Sequence, residues 1–250
     1  MGDDWTIRTE SLRKTYRSGG SEIVVFEALS LTIPSGERLA IVGESGSGKS
    51  TLLHLLGALE APTAGTIWYG DCNLTKLKGQ SLADFRNQQI GFVWQNPSLL
   101  PEFTTIENVM MPLLIRGVPP SKAAATALGL LREVGLGLRA RHRSGELSGG
   151  EQQRTAIARA FAGNPRVILA DEPTGSLDFG TGEEIIGLLT DLHKRHGLTS
   201  VFVTHNLSFA KRCDRVLELK KGALHPAFHA EQEFSDVARD ATRLDGGTYV

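Results

Sequence analysis

The stretch Gly43-Glu44-Ser45-Gly46-Ser47-Gly48-Lys49-Ser50-Thr51 decides the fold. Before it runs Leu39-Ala40-Ile41-Val42, within a strand expected over residues 38–42, and after it residues 50–59 read as a helix. A strand, a glycine loop and a helix in that order make a cradle for phosphate. Gly43, Gly46 and Gly48 let the backbone wrap closely and turn its N–H groups inward, with Glu44, Ser45 and Ser47 between them. The helix start adds its positive end. Lys49 is placed to reach β- and γ-phosphates, the Ser50 hydroxyl to hold Mg²⁺, and Thr51 to add a phosphate contact.

Two further stretches lie outward from this loop. In Val167-Ile168-Leu169-Ala170-Asp171-Glu172 an acidic pair ends a short apolar run. A strand there puts Asp171 at its end, where a carboxylate can hold Mg²⁺ directly or through water. Glu172 then points the other way along the pleat, placed to accept the proton of an attacking water. Between the loop and the acidic pair lies Leu147-Ser148-Gly149-Gly150-Glu151-Gln152-Gln153. Ser148, Gly149 and Gly150 lead into a helix expected to start near Glu151 and to run over residues 152–163, a second helix N-terminus rich in N–H donors. One nucleotide in one chain has no use for two phosphate cradles.

The remaining organisation follows from runs and turns. Strands are expected over residues 23–26 and 28–33, with Pro34-Ser35-Gly36-Glu37 as a turn. Residues 96–163 read as a helical insert in an α/β body, with an Ala/Leu-rich helix over 121–134 capped by Ser121. The runs 167–170 and 200–204, with a helix over 182–194 between them, suggest parallel strands joined by a right-handed crossover; 215–219 is another apolar run. Residues 223–250, with Pro226 and Gly246-Gly247, read as a frayed tail or as a docking or regulatory segment.

With 250 residues, 40% of them hydrophobic, the chain can bury a large core, and a net charge of −1 does not advertise nucleic-acid binding. Cys72 and Cys213 have no metal-ligand spacing and read as reduced thiols. The N-terminus is charged and reads as no signal peptide. Gly2 with Thr6 matches a bare lipidation pattern and Asn73-Leu74-Thr75 a bare glycosylation sequon; both read as chance. No apolar run approaches the roughly 18–20 residues that span a bilayer. Work at a membrane therefore calls for another subunit to do the spanning.

The phosphate loop, the Ser148–Gly150 stretch and the acidic pair, in this order over about residues 5–222, resemble the ATP-binding cassette (ABC) family. The resemblance implies a RecA-like α/β core, an antiparallel β subdomain and an α-helical signature subdomain. It also implies roles. His205, closing Val201-Phe202-Val203-Thr204, contacts the γ-phosphate and orients water and base. Gln95, after Gly91-Phe92-Val93-Trp94, senses Mg²⁺ and water and couples the site to a membrane partner. Tyr16 stacks on adenine, and the choice of ATP over GTP comes from the family. Two cassettes face head to tail, Ser148, Gly149, Gly150 and Glu151 of one capping the γ-phosphate held by the other, and Ser176-Leu177-Asp178 crosses the interface. ATP then holds the halves together and hydrolysis releases them. Glu151 stands where Gln is commoner, a frequent variant.

Within that family, Arg86-Asn87-Gln88-Gln89-Ile90-Gly91-Phe92, the stretch from Leu99 to Ile115 and Ala170-Asp171-Glu172-Pro173-Thr174-Gly175-Ser176-Leu177-Asp178 resemble the cassettes of mechanotransmission-type exporters, most of all those of lipoprotein-releasing systems. The resemblance implies two copies on the cytoplasmic face of the inner membrane, peripheral beneath integral permease subunits of the LolC/LolE kind, without direct contact to the lipid substrate. Leu99, Leu100, Phe103 and Met111 are candidate permease contacts or, equally, core of the insert. MacB-like macrolide or peptide efflux ATPases and FtsE-like cell-division ATPases share these motifs. DNA-repair cassettes place a long coiled coil where this chain has only the short stretch between Thr51 and Ser148.

Overall fold

The computed structural model describes residues 5–227. Along the chain run β1 (Ile7–Ser18), β2 (Ser21–Ile33), β3 (Arg38–Val42), α1 (Lys49–Leu56), β4 (Ala64–Tyr69), β5 (Cys72–Asn73), α2 (Gly79–Gln89) and β6 (Ile90–Trp94). Then come α3 (Thr105–Ile115), α4 (Pro120–Glu133), α5 (Gly149–Phe161), β7 (Val167–Asp171), α6 (Phe179–His196), β8 (Thr199–Val203), α7 (Leu207–Ala210), β9 (Arg215–Lys220) and β10 (Ala223–Pro226). They build two sheets, an antiparallel one in the order β2-β1-β4-β5 and a larger one in the order β10-β9-β3-β8-β7-β6. In the larger sheet β9, β3, β8, β7 and β6 are parallel neighbours and only β10 runs antiparallel.

Helix α1 explains how the phosphate loop is held. Leu52, Leu53, Leu55 and Leu56 are all buried, a broad apolar face turned into the core. They share one core with Ile7, Phe26 and Tyr69 of the antiparallel sheet and with Leu39, Leu169 and Val201 of the larger one. Tyr69 donates its hydroxyl to the Leu56 carbonyl at 2.7 Å, capping the helix end from below. The helices α3, α4 and α5 close a second core around Val109, Ala127, Leu131 and Ile157, which continues into β7 and α6. Phe202 on β8 belongs to it, buried, its ring edge-on to Phe209 with centroids 4.9 Å apart. Phe202→Ala is expected to cost about 3–5 kcal/mol of stability by leaving a cavity, checked by urea unfolding.

Several boundaries differ from the sequence reading. The two strands expected over 23–26 and 28–33 are one strand, β2, because Glu27 and Ala28 sit at a register shift between the pairs Lys14–Phe26 and Leu12–Leu29 rather than at a turn. Strand β1 escapes sequence reading for the same reason. Its buried residues alternate as Ile7, Thr9 and then, after a bulge at Ser11, Leu12 and Lys14; the extra residue flips the parity of the pattern. Helix α1 stops at Leu56, short of residue 59, as the chain turns at Gly57 and at Ala58, which has φ 52°. Ser121 lies inside α4, which starts with Pro120 at its first position and Pro119 as cap residue. Helix α6 starts at Phe179, not 182, because Asp178 caps it by accepting from the Thr181 N–H at 3.1 Å. Residues 223–226 are strand β10 on β9, not tail; Gly2 and residues 228–250 lie outside the described residues. Cys72 and Cys213 are unpaired thiols.

Candidate nucleotide site

The loop after β3 is shaped by two glycines that no other residue could replace without a shift. Gly43 has φ 148°, and a Cβ there would stand 2.5 Å from the Leu219 carbonyl oxygen. Gly48 has φ 101°, and its Cβ would meet Val25 at 2.5 Å. Lys49 turns its ammonium back into the loop, donating to the carbonyls of Gly43 and Glu44, both at 2.8 Å. The charge is thus centred over the cradle before any ligand arrives.

The ends of β6, β7 and β8 meet this loop. A cleft of about 480 Å³ is lined by Gly43, Ser45, Gly46, Gly48, Lys49, Ser50 and Thr51 on one side and by Gln95, Asp171, Glu172 and His205 on the other. Adjacent parallel strands bring the latter four together: Trp94 pairs with Asp171, and Asp171 with Val203. Ligand sites at the carboxyl ends of such strands are the general rule for open α/β sheets. Glu172 stands just past β7 with φ 46°, a conformation that non-glycine residues adopt mainly where structure demands it. Its N–H still bonds the Val203 carbonyl at 2.8 Å. Its Oε1 lies 2.7 Å from His205 Nδ1 and its Oε2 accepts the Thr204 hydroxyl at 3.2 Å. Gln95 lies over the Gly175-Ser176 turn, whose Ser176 hydroxyl donates to the Gln95 carbonyl at 3.0 Å.

Phosphate and Mg²⁺ fit these residues. Ser47 Oγ is buried in the loop without a hydrogen-bond partner, as expected of a donor kept for an anion. Among the described residues no three His, Cys, Asp or Glu side chains cluster to hold a metal alone. Ser50, Gln95 and Asp171 line the cleft with too few oxygens to complete a metal's coordination, which suits Mg²⁺ carried by a nucleotide's phosphates.

Other expected residues lie elsewhere. Tyr16 is not in the cleft wall; its ring stands on β1, 37% exposed, with its hydroxyl beside Thr51 and Glu60. The Ser148 N-cap makes a reciprocal box with Glu151, accepting from its N–H at 3.3 Å while the Glu151 carboxylate accepts from the Ser148 N–H at 2.9 Å. Helix α5 therefore starts at Gly149, slightly ahead of the start expected near Glu151. The Glu151 carboxylate also pairs with Arg139 at 3.0 Å, so within the chain it is a cap rather than a ligand group. Asp178 caps α6 in a second, adjoining hollow with Glu172, Phe179 and His205. Ser148 and Gly149 are exposed and outside the chain's own cleft.

A family model described as ABC transporter matches residues 26–175. The chain belongs to that family. It is 52% identical over 213 residues to the lipoprotein-releasing system ATP-binding protein LolD of Koribacter versatilis, covering 85% of this chain and 96% of that one. To LolD of Geobacter metallireducens it is 52% identical over 211 residues, 84% of this chain and 94% of the relative. Among solved structures, a dimeric post-hydrolysis state of the ATP-binding cassette MJ0796 bound to ADP and Pi matches with a TM-score of 0.81 and 39% identity, covering 88% of this chain and 96% of that one. The ABC cassette fold is thereby shown, with the two sheets and helical subdomain expected.

One residue of this cassette escaped sequence reading although it lies in the signature stretch. Gln153 is buried and donates both to the Trp94 carbonyl at 3.0 Å and to the Pro173 carbonyl at 2.8 Å. It ties α5 to the chain just before Gln95 and just after Glu172. A buried Gln on a helix carries no sequence signal of such a bridge.

Proposed function

We propose that this chain is the ATP-hydrolysing subunit of a membrane exporter that releases lipoproteins from the inner membrane, and that it works as a head-to-tail pair of copies. The supporting observation is the convergence of Lys49, Ser50, Gln95, Asp171, Glu172 and His205 on one cleft, in a chain about half identical to LolD proteins. The loop N–H groups and Lys49 bind the phosphates; Ser50, Asp171 and Gln95 would hold Mg²⁺. When bound, Mg²⁺ neutralises charge on the β- and γ-phosphates. Glu172 takes the proton of the attacking water, and His205, at 2.7 Å, orients that carboxylate.

The exposed start of α5 supports the pairing. Ser148, Gly149 and Gly150 do not line the chain's own nucleotide cleft, and the two glycines stand beside Leu177 and Thr181. Next to them Phe179 is 80% exposed, an apolar surface that a second copy would cover. Ser148→Arg is expected to leave ATP binding intact and abolish ATP-dependent dimerisation, read by light scattering with hydrolysis blocked.

No helix among the described residues is long and apolar enough to cross a membrane, so a permease pair would supply the spanning part. A hollow of about 400 Å³ between α2, β6 and the end of α3 is the place for it, lined by Arg86, Phe92, Trp94, Pro112, Ile115 and Arg159. Of the expected contacts, Leu99, Leu100, Phe103 and Met111 do not line it. The deciding experiment is affinity purification of the tagged chain from solubilised membranes with ATP and Mg²⁺, followed by mass spectrometry. A permease with a large periplasmic domain, recovered with acylated lipoproteins, is the expected result. A permease of drug efflux or of wall-hydrolase signalling would overturn the cargo.

A further inference from the structure

Outside the cleft, one carboxylate gathers three partners. Glu60 lies in the connection between α1 and β4, against the strand that carries Tyr16. Its Oε2 accepts the Tyr16 hydroxyl at 2.6 Å and the Lys14 ammonium at 2.8 Å, and its Oε1 faces His54 Nδ1 at 3.2 Å. Lys14 also donates to the Ala61 carbonyl at 3.0 Å and stands 4.7 Å from the centroid of the Tyr16 ring. The Lys14 hydrogen bond first, and that of Tyr16 next, hold the Glu60 carboxyl down at about 2, so it is a carboxylate at any working pH.

We propose that Glu60 is a positioning residue for the nucleotide base: it pins the Tyr16 ring by its hydroxyl while Lys14 covers one face, leaving the opposite face for adenine. The inference rests on the ATP reading above. The Tyr16 hydroxyl also lies beside Thr51, so a base on this ring is close to the phosphate loop. Half-exposed aromatic side chains otherwise sample several rotamers, and ordering one on binding weakens affinity. Holding the loop in place is not what Glu60 adds. The Thr63 N–H bonds the Arg13 carbonyl at 2.8 Å and the Thr15 N–H bonds Thr63 Oγ1 at 3.0 Å, which anchor the same connection to β1 without it.

The test is a double-mutant cycle read by calorimetry with ATP and with inorganic tripolyphosphate, which has no base. Tyr16→Phe keeps the ring and removes only the hydroxyl; Glu60→Ala removes its acceptor. Each is expected to weaken ATP binding by about three- to tenfold, with the double variant no weaker than the singles, and tripolyphosphate binding unchanged. Additive losses, an unchanged ATP affinity in Glu60→Ala, or a parallel loss of tripolyphosphate binding would overturn the positioning role. Wild-type protein that binds tripolyphosphate but gains nothing from the base of ATP would overturn it too. Failure to bind either ligand would instead overturn the nucleotide reading on which it rests.

Discussion

Replacing Glu172 with Gln will slow ATP turnover by about 10²–10⁴-fold, the usual contribution of a positioned general base. The side chain keeps its size and its surroundings. The amide oxygen can still accept from the Thr204 hydroxyl, which donates to Oε2 at 3.2 Å, and the N–H of residue 172 still bonds Val203 at 2.8 Å. The amide cannot take a proton from water. ATP binding, which depends on the loop and Lys49, should therefore persist. In the proposed head-to-tail pair hydrolysis releases the copies, so two copies carrying Glu172→Gln should stay closed on ATP. Phosphate release and light scattering on the same sample check both halves. Near-normal turnover would show that another group takes the proton.

Lys49→Ala should weaken ATP binding by about 10²–10⁴-fold. A hydrogen bond to a charged group contributes about 1.5–3 kcal/mol, roughly one to two powers of ten in affinity, and one ammonium can meet two phosphate oxygens. The loss would be in binding rather than in fold. The loop keeps the Ser47 N–H to Glu44 carbonyl turn at 3.2 Å, and α1 keeps its four buried leucines. Calorimetric titration with Mg²⁺ and ATP measures the effect, and an unchanged melting temperature confirms the fold. Wild-type affinity in this variant would mean that the backbone cradle alone holds the phosphates.

The parallel sheet, the phosphate loop and the acidic strand end were legible because each is encoded by neighbours a few residues apart. Apolar runs of four or five residues, a glycine at a fixed spacing and a polar residue closing a run are local properties of the backbone and its pleat. Boundaries were less legible where two local signals compete. The glycines Gly180 and Gly182 argue against a helix, and the Asp178 cap to Thr181 overrides them. Likewise, the bulge at Ser11 hides the alternation of β1.

What the sequence determined by itself was the phosphate cradle, the acidic pair and the second helix start, and with them membership of a family. Tertiary structure alone decided how these parts are held. Glu60 meets Tyr16 and Lys14 across 44 and 46 positions of chain, and Gln153 reaches Trp94 across 59. Such pairings exist only once β1 has closed onto the connection after α1, and once α5 has packed against the ends of β6 and β7. No periodicity in the chain announces them, because the side chains that meet belong to elements whose separation is fixed by packing and not by spacing along the backbone.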